Sequence, residues 1–301
     1  MNEIFIKNNN LTEEKEWKTL INSIETNFDN LETNKERAKR KLKEAIINSI
    51  KKRTQNIDNF GILFSGGIDS TLIAFICKQL GKNFTCYTVG LENSKDIEAA
   101  KTIASFYNFN FKYKIITLEE FENIVKEVTK RLRQADVTKV SVGSVLYAAS
   151  KLALDDNIKN LFTGLGSEEI FAGYQRHEES LKENNFESVH KECFNGLKNM
   201  YNRDLKRDFL ISKELNINLL TPFLDIDLIK IAMSVHPMYK IDKNNKKIIL
   251  RETAQDLGLN SKFCWRQKKA AQYGSNFIKG IDKLAKKHNF QLKKDYLQSL
   301  I

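Results

Sequence analysis

Between Phe60 and Gly81 the chain passes from a short apolar run, through a glycine turn, into a helical pattern, and few folds accommodate that order. Phe60-Gly61-Ile62-Leu63-Phe64 is continuous and apolar, as strands buried on both faces of a parallel sheet are. After the turn Ser65-Gly66-Gly67-Ile68-Asp69-Ser70, the residues Ile68, Leu72, Ile73, Phe75, Ile76 and Leu80 recur at helical spacing until Gly81 stops the pattern. Glycines let the backbone approach a ligand closely, and a helix that starts there offers its free amides to an anion. Ser65 and Ser70 add hydroxyl donors. Asp69, a carboxylate at an anion site, requires a bridging cation such as Mg2+. No Gly-Lys-Ser/Thr sequence closes the turn, so it is not the phosphate loop of kinases and GTPases.

From residue 59 onward strands and helices alternate, which predicts crossover units and a parallel sheet. Strands are expected at Phe60–Phe64, Phe84–Val89, Phe111–Ile116 and Asn160–Thr163, with helices at Asp69–Leu80, Ser94–Tyr107, Leu118–Leu132 and Val140–Leu154. Ligands of such sheets bind beyond the carboxyl ends of the strands, so the loops after Phe64, Val89 and Thr163 should meet at one nucleotide. Ahead of the sheet, Trp17, Leu20, Ile21, Ile24, Phe28 and Leu31 fall on one face of a helix spanning Leu11–Leu31, with Thr12 near its N-cap. A second helix, Asn34–Arg53, turns Ala38, Leu42, Ile46 and Ile50 inward, and its many lysines and arginines read as a solvated face, with an RNA or acidic partner as the alternative. Beyond Gly173 helical periods dominate, and Leu219–Leu224 reads as a connection through Pro222. The expected domains are an N-terminal helical segment (1–57), an α/β nucleotide-binding domain with helices on both faces (58–175) and a mainly helical C-terminal part (176–301).

At 301 residues and 41% hydrophobic content the chain can bury a sizeable core. No apolar run reaches the roughly 20 residues of a membrane helix, and the first ten residues lack a secretion-signal pattern, so a cytoplasmic protein with no membrane partner is expected. Cys77, Cys86, Cys193 and Cys264 form no Cys-x-x-Cys pair; they read as reduced, mostly buried thiols, with an iron-sulfur site as the alternative. The net charge of +11 suits a polyanion such as tRNA. The chain is rich in Lys, Asn and Ile throughout, however, so nucleic acid is not the favoured partner.

Further runs carry chemistry. In Thr88-Val89-Gly90-Leu91 the glycine allows a flat base to lie on the backbone. Phe162-Thr163-Gly164-Leu165-Gly166-Ser167-Glu168-Glu169 repeats the order of strand, glycine turn and helix start, and Glu168 is placed to bind Mg2+ or simply to cap the helix. Phe263-Cys264-Trp265-Arg266-Gln267-Lys268 sets Lys268 near aromatics and a Gly-Ser turn, where an amine can neutralise a departing pyrophosphate. His177 reads as a surface or packing residue.

The turn Ser65–Ser70 resembles the Ser-Gly-Gly-x-Asp-Ser pyrophosphate loop of enzymes that split ATP to AMP and pyrophosphate. With Val89-Gly90-Leu91, Asp136-Val137-Thr138, Thr163–Tyr174, Thr221-Pro222-Phe223-Leu224-Asp225, Lys247–Glu252 and Trp265–Lys268, in that order, the chain resembles the synthetase domain of glutamine-dependent asparagine synthetases from about residue 58 to about residue 280. The resemblance implies a PP-loop fold, an adenine nucleotide alpha hydrolase-like domain, in which Mg-ATP activates a carboxylate as an acyl-adenylate that ammonia attacks. It implies that Ser65, Gly66, Gly67, Asp69 and Ser70 hold pyrophosphate and that Asp69 and Glu168 hold Mg2+. It places Phe64, Val89, Thr163 and Gly164 around the nucleotide, and gives Lys268 and Lys247 the stabilisation of transition-state charge.

The sequence also departs from that family. Residue 2 is Asn2 and about 57 residues precede the first strand, so no glutaminase domain is expected, and ammonia would come free or from a separate glutaminase subunit. Leu165 stands where asparagine synthetases carry a glutamate base, and Ser141 where they carry an arginine, which puts aspartate itself in question as the carboxylate. In these features and in the run up to His177 the chain resembles asparagine synthetase domain-containing proteins. The expected function is thus an ATP-dependent amide ligase acting on aspartate or an analogue. A tRNA-modifying PP-loop enzyme and a non-catalytic nucleotide-binding relative are the alternatives.

Overall fold

A computed structural model of the chain describes residues 3–182, 185–267 and 270–301. Two compact units share the chain in alternation. Met1–Ile57, Gly164–Leu205 and Leu220–Trp265 form a helical unit; Asp58–Thr163, Lys206–Leu219 and Arg266–Ile301 form a sheet unit. No helix among the described residues is long and apolar enough to cross a membrane.

The helical unit begins with a small antiparallel ladder, β1 (Ile6–Lys7) and β2 (Asn10–Leu11). Asn8 and Asn9 turn it with φ of 52° and 59°, the left-handed pair that a two-residue hairpin favours. The helix expected over Leu11–Leu31 is shorter than its apolar pattern: it runs Glu14–Ser23, and a 3-10 turn follows at Phe28–Asn30. Asn27 accepts a bond from the Asp29 amide at 3.2 Å, and such local side-chain bonding competes with helix continuation. Trp17 still buries fully, its Nε1 donating to the Leu197 carbonyl at 2.8 Å.

Lys35–Thr54 is a single helix, capped by Asn34, with Ala38, Leu42, Ile46 and Ile50 buried. Its basic run is committed in large part to acids of the same unit: Lys35 to Glu252 (2.6 Å), Lys39 to Asp256 (2.7 Å) and Lys52 to Asp227 (2.8 Å). Near its end the buried Arg53 binds Glu3 (2.7 Å) and Asp225 (3.2 Å). Glu3 in turn accepts from the hydroxyl of Thr221 at 2.6 Å. One buried guanidinium thus ties the start of the chain to the Thr221–Asp225 motif.

The five-stranded sheet has the order β5-β4-β3-β6-β7, with β3 Phe60–Leu63, β4 Phe84–Gly90, β5 Phe111–Ile115, β6 Asn160–Phe162 and β7 Asn218–Leu220. β3 pairs parallel with β4 and with β6, and β4 pairs parallel with β5. The crossovers through Ile68–Gln79 and Lys95–Tyr107 step outward to β5, whereas Leu118–Leu132 and Val137–Leu154 carry the chain back past β3 to β6. Right-handed crossovers running in opposite directions place their helices on opposite faces of the sheet. The inner strands β3 and β4 bury side chains on both faces accordingly, whereas the edge strand β5 is largely exposed. Phe60 meets Phe84 and Phe162 at ring distances of 6.0 and 5.1 Å, while Tyr87, Val89 and Leu161 join a core with Phe121, Val125, Val140 and Ile281. At the centre, a Cβ on Gly61 would stand 2.4 Å from Leu161 Cδ2, so β3 needs glycine there. The four expected strands and the helices between them lie within a few residues of their expected bounds; β7, expected as part of a connection, is a strand.

His177 is fully buried in the helical unit, where its Nδ1 accepts from the Tyr174 amide at 3.0 Å. Burial, reinforced by the cations of Arg176, Lys240, Arg203 and Lys246, pushes it down to about 3. It is a packing residue, as one branch of the sequence reading has it.

Replacing Arg53 by Ala leaves the buried Glu3 without its cation and Asp225 with Lys52 alone, and urea unfolding should show a loss of about 3–5 kcal/mol. His177 is neutral in the folded state yet protonates below pH 6.5 once unfolded, so stability falls as pH drops from 6.5 toward 3. The loss from this group should reach about 1.4 kcal/mol by pH 5.5. Unfolding curves of His177→Gln at pH 7 and 5.5 should lack that component.

Candidate active site

Because β3, β4 and β6 run parallel, Phe64, Val89 and Thr163 fall at or near the carboxyl edge of the sheet. Strand order reverses at β3, the switch point where ligands of open sheets bind. Phe64 is buried, its amide donating to the Tyr87 carbonyl at 2.8 Å, and Thr88 Oγ1 donates to the Phe64 carbonyl. The turn is then fixed from within. The Ser65 amide donates to Ser70 Oγ at 3.3 Å, and that hydroxyl donates to the Gly67 carbonyl at 3.3 Å. Gly66 takes φ +64°, and a Cβ there would lie 3.1 Å from the Ala100 amide nitrogen. Glycine is needed both for the angle and for the close approach of the helix Lys95–Tyr107.

The helix Ile68–Gln79 starts at Gly67 with no side-chain cap, and the first amides of a helix have no partner within the helix itself. Asp69 lies half-buried on its first turn. Opposite the turn comes a residue that the sequence reading names in a motif but gives no role. Arg266 donates from Nε and Nη2 to the Gly66 carbonyl (3.0 and 2.8 Å) and from Nη2 to the Ser65 carbonyl (3.3 Å).

The segment that Arg266 opens also meets the loop after β4. The Leu91 amide donates to the Ser275 carbonyl at 2.9 Å, and Ser94 Oγ donates to the Gly274 carbonyl at 3.0 Å. A Cβ on Gly274 would sit 2.2 Å from the buried Asp96 carboxylate. Lys268 lies outside the described residues.

In the helical unit, Gly164 opens the second glycine turn, which closes at Gly166 with φ +95°; a Cβ there would stand 2.4 Å from Leu224. Leu165 is half-buried. The helix Ser167–Ile170 brings Glu168 to Lys247, a residue to which the family resemblance also gives a role: Lys247 Nζ lies 2.8 Å from Glu168 Oε1 and 3.2 Å from Ser167 Oγ. Lys247 is 3% exposed, and a buried ammonium gains from a paired carboxylate. Gly173 makes the pairing possible, since a Cβ there would fall 1.8 Å from Glu168 Oε2 and 2.4 Å from Lys247 Cε.

Glu169 points the other way, into the interior. It is ion-paired with Arg203, which also donates toward Tyr174 Oη at 3.5 Å and binds Asp204 at 2.6 Å. Burial pushes Glu169 up to about 7 against the pull of Arg203. The doublet of acids therefore splits between a partly exposed ion pair and a buried network. Sequence spacing could not separate them, because adjacent helical residues point in different directions but nothing local says which way is in.

All four cysteines are free and buried. Burial raises Cys77 and Cys86, and pushes Cys193 and Cys264 up to about 11, so none is a ready thiolate. Among the described residues no group of three His, Cys, Asp or Glu side chains could hold a metal ion by itself.

Sequence comparison agrees with this geometry. The family model described as asparagine synthase matches residues 41–208 and 182–295. A Methanocaldococcus jannaschii protein provisionally named a glutamine-hydrolyzing asparagine synthetase is 35% identical over 291 residues, covering 86% of this chain and 53% of that protein. The nodule asparagine synthetase of Pisum sativum, also named as glutamine-hydrolyzing, is 29% identical over 266 residues, covering 82% of this chain and 45% of that protein. The chain thus spans about half the length of these curated relatives. A looser likeness joins it to a solved NMN synthetase from Francisella tularensis, with TM-score 0.42, 12% identity, and 89% of this chain and 94% of that one covered. With the family model spanning more than half of its residues and an ordered glycine turn at the switch of a parallel sheet, the chain belongs to the asparagine synthase family.

Proposed function

We propose that this chain is a ligase that splits ATP into AMP and pyrophosphate while adenylating a carboxylate, aspartate or an analogue, and then releases AMP as ammonia forms the amide. One observation carries this reading: the uncapped start of Ile68–Gln79 sits at the sheet's switch point, behind a turn of two glycines. Helix amides and their dipole favour an anion there, and pyrophosphate is the anion this chemistry releases.

In the proposed reaction a carboxylate oxygen attacks the α-phosphorus of ATP, the bond to the β-phosphate oxygen breaks, and pyrophosphate leaves. Ammonia then attacks the acyl carbon, loses a proton, and AMP departs. Gly66, Gly67 and Ser65 hold the pyrophosphate with backbone and hydroxyl donors, and Ser70 braces the turn. Phe64, Val89, Thr163 and Gly164 surround the nucleotide. Asp69 has the donor chemistry of Mg2+, which is commonly held through one or two carboxylates together with substrate phosphates, and Glu168 is the second candidate oxygen donor. When bound, that ion would neutralise phosphate charge. Lys247 and Lys268 stabilise charge gained by the departing pyrophosphate. Ammonia is supplied free or by a separate glutaminase.

The buried thiols and the acid-paired lysines of Lys35–Thr54 weigh against a tRNA-thiolating enzyme. Incubation of the purified chain with Mg-ATP, ammonium chloride and aspartate should yield AMP, pyrophosphate and asparagine in equal amounts. Asp69→Ala should lower all three about 100-fold or more. AMP that forms only with another carboxylate would reassign the acceptor, and no AMP with any carboxylate would refute the ligase.

A further inference from the structure

We infer that Arg266 is the positioning residue that holds the pyrophosphate turn in its anion-binding form, an assignment that rests on the function proposed above. Its guanidinium reaches two successive carbonyls, those of Ser65 and Gly66, through three hydrogen bonds of 2.8 to 3.3 Å. In a trans peptide the carbonyl of one residue and the amide N–H of the next point in opposite directions, and the described chain has no cis peptide bond. Drawing the Ser65 and Gly66 carbonyls toward Arg266 therefore turns the Gly66 and Gly67 amides away from it. Those are the two donors that precede the uncapped start of Ile68–Gln79.

Without the cation, the same two carbonyls would lose three hydrogen bonds that resist their rotation, and a carbonyl turned inward would repel the anion. Gly66 permits that rotation because glycine has few steric limits on φ and ψ. Within the turn Ser70 braces the Ser65 amide and the Gly67 carbonyl, and Arg266 holds the two carbonyls that lie between them in sequence. A fork-shaped donor suits the task, because a planar guanidinium can span adjacent acceptors whereas an ammonium bonds as a point.

The placement of Arg266 in the chain supports the same role. The segment after it is anchored again where the Ser275 carbonyl accepts from Leu91 and the Gly274 carbonyl from Ser94. One segment thereby fixes the turn after β3 at one end and the loop after β4 at the other.

The test is calorimetric binding of Mg-ATP, and of inorganic pyrophosphate with Mg2+, to the full chain and to Arg266→Ala and Arg266→Lys, with thermal unfolding as a fold check. Arg266→Ala should bind both ligands roughly 10- to 100-fold more weakly, Arg266→Lys should fall between, and added guanidinium should restore much of the binding of Arg266→Ala. Turnover of Arg266→Ala should show a raised KM for ATP that guanidinium lowers again. Unchanged binding by Arg266→Ala would overturn the inference, as would a loss in the folded variant that guanidinium does not relieve. If the unsubstituted chain binds neither ligand, the function proposed for the turn is itself wrong.

Discussion

Ile62 lies between Cys86 on one neighbouring strand and Phe162 on the other, and both pairings are parallel. Parallel pairing cannot be closed by a hairpin, so each connection must cross the sheet. Handedness then fixes which face each crossover covers. From that constraint follow the two buried faces, the glycine at position 61 and the convergence of three strand ends at one edge. The turn Ser65–Ser70 owes its place to the same pairing, because only at the reversal of strand order do flanking crossovers leave a crevice open.

Around that turn the chain trades local freedom for a fixed direction of its polar backbone. Gly66 accepts a left-handed φ beneath the helix Lys95–Tyr107, Ser70 ties the turn to its own helix, and Arg266 holds two carbonyls on the far side. In the helical unit the logic is different. There the buried Lys247 is ion-paired with Glu168 across a gap that Gly173 leaves open. Leu165 places a half-buried apolar side chain in the glycine turn that precedes Ser167–Ile170.

Much of the sheet was legible in the sequence because short strand-forming runs, the apolar Phe60–Leu63 and the β-branched and aromatic Phe84–Gly90 among them, are set between helical periods. Very short pairings were not. β7 spans only Asn218–Leu220 next to Pro222, and the β1–β2 ladder has two residues on each side; at that length no period can be read. The helix expected through Leu31 carried the right apolar spacing, but it stops at Ser23, and a separate 3-10 turn capped by Asn27 takes up Phe28–Asn30. The alternation of two units along one chain left no mark either, since it is made by contacts between distant segments, such as Arg53 with Glu3 and Asp225.

The candidate site was legible where chemistry depends on residue type at fixed spacing, as in the serines, glycines and aspartate of Ser65–Ser70. It was not legible where a side chain serves the backbone: Arg266 sits two residues from the more conspicuous Lys268, and its partners are carbonyls that every residue possesses. The central claim is that the turn binds the pyrophosphate released as a carboxylate is adenylated. It is tested most directly by exchange of labelled pyrophosphate into ATP without ammonia. The account predicts exchange that requires an added carboxylate, aspartate or an analogue, and that is abolished in Asp69→Ala. A chain that binds Mg-ATP yet exchanges no label with any carboxylate, or exchanges equally well after Asp69→Ala, would contradict it.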